Sequence, residues 1–177
     1  MTRLDLTELL RRRVRDIPDF PKPGIVFKDI TPLLADHTAF AGAVDAVVSH
    51  YGRGTVDKVA GIEARGFILA APVAYHFGAG FVPVRKAGKL PSATLAQSYA
   101  LEYGEAELEL HQDAISPGDR VVIVDDVLAT GGTAAAAAQL VRRAGGVVVG
   151  ISVLMELTFL DGRAKLPEYD VQALLTV

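Results

Sequence analysis

The stretch of sequence that decides the fold is VVIVDDVLATGGTAAAAAQL, residues 121–140. It begins with an apolar, β-branched run, passes through the adjacent acids Asp125 and Asp126, and crosses a loop of small residues into five consecutive alanines. A short apolar run bounded by turn residues predicts a buried strand, which here would end at the acid pair. Alanine is the strongest helix former, so a helix is predicted after the loop.

Similar units lie on either side of this stretch. Residues 56–62 predict a buried strand, residues 67–77 a helix that ends at Gly78, and residues 81–84 a second strand. The alanine-rich helix is followed by another apolar run, residues 147–157. Alternating strands and helices with continuous β-branched runs predict an α/β fold, with a central parallel sheet flanked by helices. A chain of 177 residues that is 50% hydrophobic suits a single domain.

The other segments predict less regular structure. Residues 7–14 have helical spacing of their apolar side chains, whereas the proline-rich residues 16–34 predict a fixed, irregular loop. Residues 85–97 are polar, contain glycine and proline, and have the length of a flexible lid loop. Alternating residues on both sides of Gly104 predict a hairpin. Residues 161–177 are expected to supply only a closing strand or edge element.

Composition and charge exclude several classes of function. The net charge of −3 gives no basic field for nucleic acid or an anionic membrane, so any affinity for phosphate must be local. The chain has no cysteine, which excludes disulfides and thiolate catalysis. Acids interrupt the N-terminal segment, and no long apolar run is free of charge or proline. We therefore expect no membrane contact and a cytoplasmic location.

The loop of small residues predicts a phosphate site. This ATGGT loop consists of Ala129, Thr130, Gly131, Gly132 and Thr133. Few Cβ atoms let successive amides approach an anion, and the helix that follows adds the positive end of its dipole. The acid pair, Asp125 and Asp126, would repel phosphate but suits the two hydroxyls of a ribose, a magnesium ion, or both. Loop and acid pair together predict a sugar phosphate, and the sequence contains neither a Walker loop nor a dinucleotide fingerprint.

These residues resemble a known family. VVIVDDVLATGGT resembles the phosphoribosyl pyrophosphate (PRPP) signature of the type I phosphoribosyltransferases. DFPKPGIVFKDITPLL, GIEARGFILAAPVA, RKAGKLP and SYALEYG followed by ELELH resemble its adenine-specific members in order and spacing, over about residues 17–160. The resemblance implies transfer of phosphoribosyl from PRPP to adenine, giving AMP and pyrophosphate, with magnesium as cofactor. It also implies a small hood from about residues 1–34, and a homodimer.

The resemblance further implies roles for individual residues. The ATGGT loop would take the ribose phosphate, and the acid pair would hold the ribose hydroxyls, with magnesium held mainly by PRPP near Asp125. The main chain of Val26 and the ring of Phe27 would bind adenine, while Glu102 would serve as the catalytic acid or base. A cis peptide is implied between Glu63 and Ala64. The residues implied for pyrophosphate are Glu63, Ala64, Arg65, Arg85, Lys86, Lys89 and Tyr103.

Two alternatives stay open on the sequence alone. A phosphoribosyltransferase for a 6-oxopurine (hypoxanthine, guanine or xanthine) would share the PRPP signature, and the choice of base depends on geometry that the sequence does not display. A PRPP-sensing regulator without turnover would also share it, although this acidic chain offers no basic face for DNA.

Overall fold

The computed structural model describes residues 3–100 and 104–177. Its N-terminal part forms helices and a small antiparallel sheet. The chain divides into two units, residues 1–46 and residues 47–177. The first contains α1 (Arg3–Arg12), β1 (Arg15–Pro18), β2 (Val26–Asp29), α2 (Thr31–Ala35) and the start of α3 (His37–Tyr51). Its core includes Leu10, Ile30 and Leu33, none of them more than 3% exposed.

The prediction of an irregular loop over residues 16–34 is wrong in part. β1 and β2 pair from Arg15 opposite Asp29 to Pro18 opposite Val26. The prolines of this segment are compatible with pairing because they lie at the end of β1, in the connection to β2 and in the first turn of α2. A missing amide donor costs little at such positions.

The second unit is built on a seven-stranded sheet. Its strands are β3 (Lys58–Ile62), β4 (Gly80–Lys86), β5 (Thr94–Ala100), β6 (Glu105–His111), β7 (Arg120–Leu128), β8 (Val147–Glu156) and β9 (Val171–Thr176). The order across the sheet is β5-β6-β4-β3-β7-β8-β9. The five strands from β4 to β9 in this order are parallel, whereas β5 and β6 form an antiparallel hairpin at one edge. The antiparallel pairing predicted for the hairpin is confirmed in residues 94–100 and 105–111, whereas residues 101–103 lie outside the described residues. β9 is the expected edge strand.

Two helices cover opposite faces of this sheet. A Cβ on Gly61 of β3 would touch Ala70 of α4 (Gly66–Phe77), so Gly61 faces α4. Its neighbours Ala60 and Ile62 belong instead to the core beneath the buried alanines of α5 (Gly132–Arg143). Successive side chains of a strand point to opposite faces, so α4 and α5 lie on opposite sides. The predicted layers are therefore confirmed.

The connections that border the site are shorter or more ordered than the sequence indicates. Of the predicted lid, residues 85–97, the two ends belong to β4 and β5, and only residues 87–93 are irregular. After β8 come two short 3-10 helices, Thr158–Leu160 and Gly162–Lys165; the second is called the support turn below. Among the described residues, no helix is long and apolar enough to cross a bilayer.

Candidate active site

A cavity of about 380 Å³ lies at the carboxyl ends of β3 and β7. The two strands pair in parallel register from Lys58 opposite Val121 to Gly61 opposite Val124, so the residues that follow β3 come beside the acid pair. Ten of the predicted site residues line this cavity: Glu63, Ala64, Arg65, Lys86, Asp125, Asp126, Ala129, Thr130, Gly131 and Thr133. The edge of a parallel sheet where strands end is the usual ligand site of such folds.

The acid pair lies inside β7 and not at its end. β7 continues to Leu128, two residues further than the sequence predicts. Asp126 is only 6% exposed, and its Oδ2 lies 2.7 Å from Nε of Arg65. The amide of Asp126 donates a hydrogen bond of 2.8 Å to Oδ1 of Asp125. The two carboxylates therefore have different surroundings, one bonded to a guanidinium and the other to the backbone.

Asp125 lies where α4 meets β7. A Cβ on Gly66 would be 2.7 Å from Oδ1 of Asp125 and 3.0 Å from the carbonyl oxygen of Val124, so only glycine fits at the start of α4. Burial, and then the negative charge of Asp126, raise the pKa of Asp125 well above its ordinary value. Its charge is consequently disfavoured until a positive group or a hydroxyl donor comes close.

The ATGGT loop leads directly into α5. Gly131 has a φ of +78° and precedes the first helical residue, Gly132, a conformation that glycine adopts without the steric cost of a Cβ. The amides of residues 129–133 have no hydrogen-bond partner within the described part of the chain. Unpaired amides at the start of a helix are the usual donors to an anion. The geometry fits the predicted phosphate site.

Residues 63–66, the EARG loop, follow β3 and lead into α4, which begins at Gly66. The peptide bond between Glu63 and Ala64 is cis, as the resemblance implies. The Glu63 carboxylate accepts hydrogen bonds from Nε of Arg85 (3.1 Å), from the amide of Lys86 (3.1 Å) and from Nζ of Lys89. Burial acts to raise the pKa of Glu63, but the hydrogen bonds from Lys89, Lys86 and Arg85 outweigh it and leave the pKa below its ordinary value.

The sequence and the structure are similar to those of known proteins. A family model described as a phosphoribosyl transferase domain matches residues 33–172. An adenine phosphoribosyltransferase of Acidothermus cellulolyticus is 64% identical over 173 residues, which are 98% of each chain. The chain belongs to the adenine phosphoribosyltransferase family. The crystal structure of the Rhodothermus marinus adenine phosphoribosyltransferase has a TM-score of 0.94 at 53% identity and covers 98% of this chain and 99% of its own.

A more distant member of the family gives the same fold. The Saccharomyces cerevisiae adenine phosphoribosyltransferase, complexed with an imino-altritol bisphosphate and adenine, has a TM-score of 0.92 at 38% identity. It covers 97% of this chain and 99% of its own. The fold class and family predicted from the sequence are therefore confirmed.

The described structure does not test the roles that the adenine phosphoribosyltransferase resemblance implies for four of the predicted site residues. Glu102 and Tyr103 are outside the described residues. Val26 and Phe27 belong to the N-terminal unit, where Val26 is exposed on β2 and the Phe27 ring packs edge-on against Phe20 at 5.2 Å. The catalytic role of Glu102, the pyrophosphate contact of Tyr103 and the adenine contacts of Val26 and Phe27 stay predictions.

Two residues at the site were missed by sequence reasoning. Tyr99 of β5 lines the cavity, and a Cβ on Gly132 would lie 3.3 Å from its ring. Gly162, in the support turn, touches the back of the ATGGT loop. Nothing local in the sequence signals either position, because both act through contacts with residues about 30 positions away or more.

The described residues supply few ligands for a metal. Within the described residues, no group of three or more acidic or histidine side chains is arranged to hold a metal ion. Asp125 accepts a backbone hydrogen bond, and Asp126 is paired with Arg65. Two carboxylates that keep free lone pairs fit an ion held mainly by oxygens of a bound substrate.

Proposed function

We propose that the chain transfers the phosphoribosyl group of PRPP to adenine, giving AMP and pyrophosphate, as a step of purine salvage. The observation that carries this proposal is the arrangement around one cavity: the ATGGT loop, the acid pair, and the EARG loop with Arg65. A sugar with a phosphate at one end and a pyrophosphate at the other requires anion sites at both ends and hydroxyl acceptors between them. Membership of the family supports the same substrates.

The ATGGT loop binds the phosphate of the ribose in this proposal. Its amides and the N-terminal end of α5 favour a dianion, and the hydroxyls of Thr130 and Thr133 add hydrogen bonds. Asp126 accepts from a ribose hydroxyl in exchange for part of its contact with Arg65. Arg65, released toward the pyrophosphate, binds two oxygens with its planar fork.

The reaction displaces pyrophosphate from the anomeric carbon of the ribose. The bond from this carbon to the pyrophosphate oxygen breaks, with its electron pair leaving on the pyrophosphate, and a nitrogen of adenine forms the new bond. The sugar becomes cationic along the way, as in glycoside chemistry. The charges of Asp125 and Asp126 lie beside this cation and stabilise it. Glu102 is proposed to take the proton that adenine loses, a step typically worth about 10²–10⁴-fold in rate.

The leaving pyrophosphate is bound by the basic residues around Glu63. Arg85 and Lys89 are paired with the Glu63 carboxylate in this structure, and Lys86 lines the cavity. We propose that pyrophosphate competes with Glu63 for Arg85 and Lys89, with Tyr103 near the same oxygens. Residues 87–93 would then close as a lid and exclude water. Asp125 would lie near a magnesium ion held mainly by PRPP, and this ion would neutralise part of the pyrophosphate charge.

Adenine is proposed to stack on Phe27 and to pair with the main chain of Val26, with the hood of residues 1–34 covering it. An acceptor for the exocyclic amine and a donor for the ring nitrogen reject 6-oxopurines, which present the opposite pattern. A mismatch of this kind costs about 10⁴-fold or more in discrimination. The cytoplasmic location stays a prediction.

We also propose a homodimer. One face of α4 presents Ile68, Ala71 and Tyr75 to the outside of the described chain, and Tyr75 is 84% exposed. Contiguous apolar surface of this kind is typical of an interface, and a second copy of the chain is its proposed occupant. Analytical ultracentrifugation should give twice the chain mass, and Tyr75→Glu should shift it toward the monomer. A monomeric parent chain would contradict the proposal.

The test of the function is base specificity. The purified chain, PRPP and magnesium are incubated separately with adenine, hypoxanthine, guanine and xanthine, and nucleotide and pyrophosphate are measured. AMP from adenine alone is expected. Turnover of a 6-oxopurine would support the proposed PRPP site and refute the proposed adenine site. Binding of PRPP without turnover of any base would refute the enzymatic function and indicate a PRPP-sensing protein.

A further inference from the structure

We propose that Gly162 is a positioning residue for the phosphate of the ribose, because the support turn sets the shape of the ATGGT loop from behind. This inference rests on the proposed function, since it takes the ATGGT loop as the phosphate site. It gives a role to the C-terminal segment, for which the sequence predicts only an edge strand.

The ATGGT loop and the support turn touch backbone to backbone. A Cβ on Gly131 would lie 2.2 Å from the carbonyl oxygen of Gly162, and a Cβ on Gly162 would lie 2.1 Å from the carbonyl oxygen of Ala129. The second Cβ would also be 2.9 Å from the amide nitrogen of Gly131. Neither position can accept a side chain unless the backbone shifts, so the two glycines allow a close approach that no other residue permits.

The support turn is held firmly by the sheet. Nη1 of Arg163 donates a hydrogen bond of 2.7 Å to the carbonyl oxygen of Val171 at the start of β9. Its Nε donates a hydrogen bond of 3.0 Å to Oε1 of Glu156. Glu156 is the last residue of β8 and is 6% exposed. Leu166, directly after the turn, is 1% exposed in the main core. The turn is therefore fixed on both sides, and the loop has to yield when the contact is crowded.

Crowding at this contact changes the amides that face the phosphate. Hydrogen bonds to an anion require donor distances of about 2.7–3.2 Å. Ordinary contact between a Cβ and an oxygen would move the loop by roughly 1 Å, and such a misplacement can cost about 10²-fold in a binding or catalytic constellation. The EARG loop does not take part in this contact, so the effect should be confined to one end of the substrate.

The experiment compares Gly162→Ala with Gly150→Ala in the full chain. A Cβ on Gly150 would lie 2.3 Å from Cε1 of Tyr51, a similar degree of crowding at a place that touches neither loop. Isothermal titration calorimetry measures the Kd of AMP and, separately, of magnesium pyrophosphate. We expect Gly162→Ala to raise the Kd of AMP at least about tenfold and the Kd of magnesium pyrophosphate less than about threefold. Gly150→Ala should change neither Kd by more than about threefold.

A second pair of variants covers the case in which Gly162→Ala does not fold. Arg163→Met loosens the support turn without adding atoms to the contact, and Arg163→Lys keeps the charge opposite Glu156 but loses the planar fork. The Kd of AMP should rise in Arg163→Met and rise less in Arg163→Lys. An unchanged Kd of AMP in folded Arg163→Met, or an equal loss of AMP and pyrophosphate affinity, would overturn the positioning role.

Thr133→Val separates this inference from the proposed function. Thr133 belongs to the phosphate site itself, so its variant should bind AMP more weakly if the ATGGT loop holds the phosphate. If Thr133→Val weakens AMP and folded Gly162→Ala does not, the positioning role is wrong and the site stands. If both variants bind AMP as tightly as the parent does, the ATGGT loop is not the phosphate site, and this part of the proposed function is wrong.

Discussion

The ion pair between Asp126 and Arg65 predicts a variant that loses little stability and much activity. Asp126→Asn keeps the size of the side chain and removes its charge. A hydrogen bond to a charged group contributes about 1.5–3 kcal/mol to stability. The Arg65 side chain is 39% exposed, so solvent screening reduces this to about 1 kcal/mol. For a domain of this size the midpoint Tm should fall by about 2–4 °C.

The loss of activity should be larger because the charge of Asp126 is proposed to stabilise the cationic sugar, which develops only in the transition state. Removing one preorganised electrostatic partner of a developing charge typically costs about 10²–10³ in kcat, or about 2.7–4 kcal/mol. The assay is AMP formation at saturating PRPP and adenine, with thermal unfolding measured on the same preparations. We expect kcat to fall by at least about 10²-fold while the protein stays folded at the assay temperature.

Asp57→Asn is the matched control. Asp57 accepts hydrogen bonds from Nε (2.8 Å) and Nη2 (2.9 Å) of Arg120, at the opposite end of β7 from the acid pair. Its loss should lower the Tm and leave kcat within about twofold of the parent, because the pair lies at the amino end of the sheet. The reasoning is refuted if Asp126→Asn keeps kcat within about threefold, or if Asp57→Asn loses as much activity.

Asp125, Glu63 and Arg65 each give a further testable prediction. The raised pKa of Asp125 means that its ionisation opposes folding, so parent stability falls as pH rises from the ordinary value of 3.8 through the raised pKa. Without magnesium or ligand, Asp125→Asn should therefore have a higher Tm than the parent by calorimetry. The difference in Tm should be larger at about pH 8 than at about pH 5. A Tm equal to or below that of the parent would contradict this prediction. The lowered pKa of Glu63 means that its carboxylate stabilises the fold above the ordinary value of 4.5, and that this contribution is lost as pH falls through the lowered pKa. Glu63→Gln should thus be less stable than the parent near neutral pH and lose less on acidification, and parallel Tm–pH curves would rule this out. Arg65→Lys should raise the Kd of pyrophosphate by about tenfold in titration calorimetry, because lysine lacks the planar fork. An unchanged Kd would show that Arg65 does not bind pyrophosphate.

The sheet and its two covering helices could be predicted from the sequence because their signals are local. β7, the ATGGT loop and α5 follow one another within 24 residues, from an apolar run through glycines to alanines. α4 ends at Gly78 with a φ of +71°, as a C-terminal glycine indicates. β1, β2 and α3 were not predicted, because prolines at strand ends resemble prolines in a loop and the small side chains of α3 give a weak pattern.

The pairing of charges at the site could not be predicted in the same way. Arg85 and Lys89 bond to Glu63 from 22 and 26 residues away, and they do so only because β3 and β4 are neighbours in parallel register. Gly162 is more extreme, since its contribution is the absence of a side chain at a contact with Gly131. Sequence patterns identify which residues have suitable chemistry, whereas partners depend on the topology that brings distant segments together.

The paired charges also bear on how the proposed enzyme releases its product. Arg65 is bonded to Asp126, and Arg85 and Lys89 are bonded to Glu63. Binding of PRPP would exchange these internal ion pairs for contacts with ribose and pyrophosphate, so part of the gross interaction energy is offset by the pairs that are lost. The internal ion pairs re-form when pyrophosphate leaves. The buried carboxylates of Asp126 and Glu63 are therefore not left without a positive partner, which lowers the free-energy cost of release. A site with preformed internal partners therefore binds a highly charged substrate less tightly than its number of cations indicates, and it favours release of the pyrophosphate once the transfer is complete.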